Sequence, residues 1–169
     1  MERVQRLKLR FLELMREDQA AATQASPEDA KAQKKQRKQK AARLGHLEAL
    51  GHAAADLAVE LLRDGAQGEV ASEVALESCT LARAVAAKVH GAHSAQVGGL
   101  LARIGEAHEG MLRLDDAINA YTAALELQTR VHGPESAAVA VTLNNIGVVY
   151  ESQSEYAKAL EAYERSMAI

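Results

Sequence analysis

Tryptophan is absent from this 169-residue chain, phenylalanine occurs once, and aromatics make up only 3% of it. So few rings exclude the interior of a typical sheet sandwich and leave a core of aliphatic and alanine side chains, which suits closely packed helices. Only two prolines interrupt the chain, so long helices are permitted. The single cysteine, Cys79, excludes an intramolecular disulfide and fits a reducing compartment such as the cytoplasm. It stands at an apolar position and reads as a core thiol rather than a reactive one. No apolar run approaches the roughly 20 residues of a membrane span.

Chemistry-bearing motifs are missing as well. There is no phosphate loop, dinucleotide fingerprint or nucleophile motif. The six histidines, His90 and His93 included, have no clustered cysteine or paired carboxylate beside them, so neither a metal nor another cofactor is expected. Asp115-Asp116 reads as the acidic first turn of a helix rather than an acid/base pair. A non-enzymatic protein is therefore expected.

Charge is unevenly shared. Residues 1–44 carry twelve Lys/Arg against six Asp/Glu, and residues 45–169 carry eight against seventeen. A basic arm thus leads an acidic body. Within the arm, Val4, Leu7, Phe11 and Leu14 recur at helical spacing and form the apolar stripe of an amphipathic helix that docks on the body or on another protein. Two heptads are too few for a coiled coil, and Glu2, Glu13, Glu17 and Asp18 argue against a mitochondrial leader. A hinge is expected near 19–25. Ser26-Pro27-Glu28-Asp29 then reads as the start of a helix that carries Lys31, Lys34, Lys35, Arg37, Lys38, Lys40 and Arg43 with no acid among them and can run on through Leu47, Leu50 and Leu57 despite Gly45 and Gly51. This run suits an anionic partner: acidic protein surface first, RNA phosphates second, and a nuclear-localisation signal third. No aromatic is interleaved for base stacking, so any RNA contact would be to the backbone.

The body repeats itself. Val89-His90-Gly91 returns as Val131-His132-Gly133, and at the same offset of forty-two residues Ser94 pairs with Ser136, Leu101 with Leu143, Gly105 with Gly147, Glu109 with Glu151, Ala117 with Ala159 and Tyr121 with Tyr163. Each copy reads as two helices, 94–110 and 114–130, then 136–152 and 155–168, with Ser94 and Ser136 as N-caps. Mid-helix glycine costs roughly 0.5–1 kcal/mol relative to alanine, so Gly105 and Gly147 imply close approach of a neighbouring helix. Tyr121 and Tyr163 are placed to fill the space left by the small residues. A third, degenerate copy lies at 45–90, with Cys79 at the tyrosine position and Arg63 where the glycine is expected.

Leu143-x-x-Ile146-Gly147-x-x-Tyr150 followed by Ala159-x-x-x-Tyr163 resembles the tetratricopeptide signature, with leucine for its tryptophan and tyrosine for its phenylalanine. The period exceeds the usual 34 or so residues. The stretch 142–150 and its His-Gly connector look like the longer repeats of the kinesin light chain type. The expected architecture is all-α: a helical-hairpin solenoid with repeats at 91–132 and 133–169, behind a degenerate repeat at 45–90 and a basic helical arm at 1–44.

The resemblance implies that first helices line a concave groove for a partner segment. Asn145 matches the asparagine that often holds a ligand backbone in such repeats, and Arg103 replaces it one repeat earlier. Asn144, Val148, Glu151, Glu106 and Glu109 are expected to share that face. The lysines of a carboxylate clamp are missing. At the far end, Tyr156, Tyr163, Met167 and Ile169 are expected to stand partly bare, as in a chain that meets a partner, pairs with itself or is a fragment. The function expected is that of an interaction adaptor in a larger assembly, the alternative being a ribonucleoprotein component, for example one associated with the ribosome.

Overall fold

A computed structural model describes residues 2–23, 30–63 and 69–169. Among the described residues there are seven helices and no strand: α1 Glu2–Thr23, α2 Ala30–Arg63, α3 Glu69–His90, α4 Ala95–Gly110, α5 Leu114–His132, α6 Ala137–Ser152 and α7 Tyr156–Met167. The chain is an all-α helical-hairpin solenoid.

The forty-two-residue period is written into the backbone. Gly91 and Gly133, which end α3 and α5, adopt φ of +92° and +89°, a conformation that glycine takes without steric cost. Leu112 and Ser154, in the tight turns inside the two hairpins, adopt φ of 57° and 62°. Arg113 and Glu155 close those turns by donating their amides to the carbonyls of His108 and Tyr150. Ser94 and Ser136 stand at the N-cap positions in extended conformation, yet neither hydroxyl bonds a backbone amide. Their carbonyls accept the first helical bonds instead, from Gly98 and Ala140.

Inside each hairpin the glycine and the tyrosine form one joint. A Cβ on Gly105 would lie 2.6 Å from the Tyr121 ring, and one on Gly147 would lie 2.5 Å from that of Tyr163. Absence of a side chain is therefore a condition of the packing, which explains a residue that helix propensity disfavours. Tyr121 is fully buried in a core with Ala117, Ile146 and Val149.

The row order sets the curvature. The backbones of first helices approach their successors, α2 with α4 and α4 with α6, whereas among the described residues the backbones of α3, α5 and α7 stay apart. A row that touches on one side and splays on the other bends toward the touching side. The inner, concave surface is accordingly built from α2, α4 and α6.

Three sequence expectations change. Residues 19–23 continue α1 rather than forming a hinge, since their alanines and glutamine favour helix; residues 24 and 25, with the Ser26–Asp29 cap, lie outside the described residues. The boundary at 44 falls inside α2, which joins the basic segment to the first helix of the degenerate repeat without a break. Arg63, finally, does not replace the packing glycine. Gly51 meets Val85 as Gly98 meets Leu127, but Val85 and Leu127 lie forty-two residues apart while Gly51 and Gly98 lie forty-seven apart. A longer connector has slid α2 back by about five residues, so the joint is made by Ala58 and Cys79, both fully buried in one core cluster. A small pair substitutes for glycine and tyrosine.

The amphipathic stripe of α1 covers the N-terminal hairpin. Val4 shares a core cluster with Leu57 and Val74, and Leu14 one with Leu47, Leu50 and Val85, Leu7 and Phe11 packing beside them. Val4 and Leu14 are wholly or almost wholly buried. Lys8 pairs with Glu77 at 3.0 Å and Arg3 with Glu60 at 3.3 Å. These pairs reach solvent and set register more than they stabilise, since exposed ion pairs contribute about 0–1 kcal/mol; the apolar stripe holds the helix.

Candidate functional site: the inner face

Two seams run along the concave surface, and they differ. At the first, α2 and α4 converge near Ala58 and Ile104, which share a core cluster, and leave a cavity of about 240 Å³ on the floor made by α3. Glu48, His52 and Asp56 line it from α2, and Gln96, Gly99 and Arg103 from α4. At the second seam, between α4 and α6, the Thr142 hydroxyl donates to Gln128 Oε1 at 2.7 Å, a buried bridge between the floor helix α5 and the wall helix α6. Gln128 also lies against Gly98, whose missing side chain makes room for it.

Glutamates brace the hairpins. The Tyr121 hydroxyl donates to Glu109 at 3.0 Å, and the Tyr163 hydroxyl donates to Glu151 at 2.8 Å. Burial raises the Glu109 carboxyl and the Tyr121 hydroxyl draws it back down. Burial also drives the Tyr121 phenol far above its ordinary value, and the charges of Glu109 and Glu106 add to this; the Asn145 amide, bonded to the same phenol, opposes it. Three residues assigned to the ligand face by sequence thus have partners inside the solenoid: Glu109, Glu151 and Asn145.

The others are distributed along the same surface. Asn144 is exposed, Val148 half-buried, and Arg103 half-buried beside Glu106, whose carboxyl is raised by burial and lowered by that arginine. Val141, 60% exposed on α6, belongs to this face and was missed by the sequence reading. It recurs at the place of Gly99, and only the curvature shows that this place looks inward. Burial pushes the Cys79 thiol up to about 12, which keeps it protonated and inert, with Arg103 opposing the shift and Glu106 adding to it. Among the described residues no three His, Cys, Asp or Glu side chains converge as a metal site would require.

The curved row of first helices, the glycine–tyrosine joint of the α4–α5 and α6–α7 hairpins and the repeated positive-φ turn accord with a match of residues 96–169 to the tetratricopeptide repeat family. Over residues 96–169 the chain carries tetratricopeptide repeats. No curated protein matches it. The family match begins at Gln96, on the α4 wall of the first seam, so the degenerate repeat and α1 lie outside it.

Tetratricopeptide repeats generally mediate protein–protein contact, and the remaining expected residues lie at the two ends of this solenoid. On α7, Tyr156 (67%), Met167 (78%) and Ile169 (41%) are exposed, while Tyr163 is half-buried against Gly147. Leu160, at 57%, completes the bare stripe and was not anticipated. One repeat earlier the same stripe, Leu114, Ile118 and Leu125, packs with Ile146, Val149 and Tyr150 of α6. In the basic segment Lys38 and Lys40 are exposed. The side chains of Lys31, Lys34, Lys35, Arg37 and Arg43 lie outside the described ones, although their backbone belongs to α2. No described helix is long and apolar enough to cross a membrane.

Proposed function

We propose that this chain is a non-enzymatic adaptor subunit of a larger assembly and that the inner face of α4 and α6 holds a segment of a partner protein. The observation that carries the reading is the curvature: first helices in contact, second helices splayed, with Val141 and Asn144 left exposed on the inner wall. Asn145, Val148, Arg103 and Glu106 border the same track. The long repeat, of the kinesin light chain type by resemblance, fits a groove walled by first helices of 16 residues each. The test is isolation of the native complex with the wild type and with a Val141→Asp, Asn144→Lys variant. Loss of the co-purifying partner with an unchanged circular-dichroism spectrum is expected, and full retention sinks the proposal.

The bare stripe of α7 is a second holding surface in this reading. Its apolar residues match those of α5 that pack in the core with α6, so an amphipathic helix is the natural cover, whether from a further segment of the same protein, a partner or a second copy. Sedimentation velocity separates these: concentration-dependent association supports self-pairing, and a stable monomer at high concentration counts against it. The exposed Lys38 and Lys40 support a further reading in which the basic half of α2 lies on RNA phosphates. That version requires RNA affinity that falls steeply with salt and disappears on neutralising Lys34, Lys35, Arg37 and Lys38; no binding at low salt removes it.

A further inference from the structure

Three residues that line the first-seam cavity are smaller than their counterparts at the second seam. Advancing α3 and α4 by forty-two residues gives α5 and α6, and the substitutions are ordered: Val85 stands for Leu127, Ala86 for Gln128 and Gly99 for Val141. The polar bridge of the second seam is gone as well, because Leu100 takes the place of Thr142. What remains is an apolar floor with room above it. Nothing lies within 4 Å of the point a Cβ on Gly99 would occupy.

Size narrows the ligand. An apolar cavity of about 150 Å³ already admits benzene, so about 240 Å³ admits an aromatic ring or a branched aliphatic side chain. It falls short of the roughly 300–1,000 Å³ typical of cofactor and drug-sized sites. Charge narrows it further. At the rim, Glu48 faces His90 at 3.6 Å, and Arg103 is coupled to Glu106. Asp56, exposed on the α2 wall, has no ion pair among the described residues. The surrounding body is acidic, with eight Lys/Arg against seventeen Asp/Glu over residues 45–169.

We propose that the first seam is a side-chain pocket: a partner segment inserts one aromatic or branched aliphatic residue between α2 and α4 and sets an adjacent lysine or arginine on Asp56. This rests on the inner-face reading above and gives the partner its chemistry, an apolar anchor next to a cation. At the second seam the Gln128–Thr142 bridge stands where the first has Ala86 and Leu100, and this reading assigns it surface contact.

The experiment uses the ¹⁵N-labelled full chain and three hexapeptides, acetylated and amidated: Ala-Ala-Phe-Arg-Ala-Ala, the same with alanine for phenylalanine, and the same with glutamate for arginine. The Gly51 and Gly99 amides report from the two walls. The Phe-Arg peptide is expected to shift both saturably, the Ala-Arg peptide to leave them unmoved, and the Phe-Glu peptide to bind about two- to five-fold more weakly, the worth of one exposed ion pair. Asp56→Asn is expected to erase that last difference. Gly99→Val, which restores the residue of the second seam into open space, is expected to abolish the shifts while keeping the helical spectrum and melting temperature. Should it not fold, Ala86→Gln fills the cavity from the floor instead. Equal shifts with the Ala-Arg peptide, or wild-type binding by the filled variant, overturn the pocket. Shifts confined to α6 overturn the pocket and leave the inner-face reading standing; no shifts anywhere overturn the pocket, and the inner face is then judged by its own co-purification test.

Discussion

The hairpins α4–α5 and α6–α7 carry the same glycine–tyrosine joint, yet Tyr121 is wholly buried and Tyr163 is not. Both rings lie against a glycine and both hydroxyls find a glutamate twelve residues upstream. The difference is the neighbour: α6 covers the outer edge of Tyr121, and the corresponding edge of α7 is open. One motif therefore serves two roles. In the first hairpin it is a core joint, and in the second it is a brace that keeps a surface stripe in order.

Truncating the rings should separate the two roles most widely. Tyr121→Ala is expected to destabilise by about 3–5 kcal/mol, as for other large aromatic deletions in a core, and Tyr163→Ala by about half of that, measured by urea unfolding. Filling the glycines comes next. Gly105→Ala pushes a methyl group into a ring that cannot retreat and is expected to cost about 1–3 kcal/mol. Gly147→Ala meets a ring free to swing outward and gains about 0.5–1 kcal/mol of helix propensity, so the net change should stay within about 1 kcal/mol. The smallest contrast is in the hydroxyls. Tyr121→Phe strands the half-buried Glu109 and should cost about 1–2 kcal/mol, whereas Tyr163→Phe frees an exposed Glu151 to water and should change stability by less than about 0.5 kcal/mol. Equal effects within each pair would mean that α6 does not seal the first joint.

Much of this was legible in the sequence where identity recurred. Gly105, Ala117 and Tyr121 announced their packing because the same residue types return forty-two positions on. The pairing of Glu109 with Glu151 was visible too, but its meaning was not: a glutamate on a first helix looks like groove lining until the phenol that claims it is seen across the hairpin. The register of α2 was hidden because a fixed offset assumes a fixed connector, and the slide that puts Ala58 rather than Arg63 against α3 shows only in three dimensions. For the same reason the first-seam cavity could not be read in advance. Ala86 and Gly99 become informative only once they are known to face one another's helices across a gap.

The central claim is that partners are held on the inner face. A benzophenone amino acid placed at Val141, exposed on the inner wall, and separately at Asn119, exposed on α5, tests it directly. Photo-cross-linking in the native complex is expected to join the co-purifying protein to the chain from Val141 and not from Asn119. Cross-links from Asn119 in equal or greater yield would contradict the account.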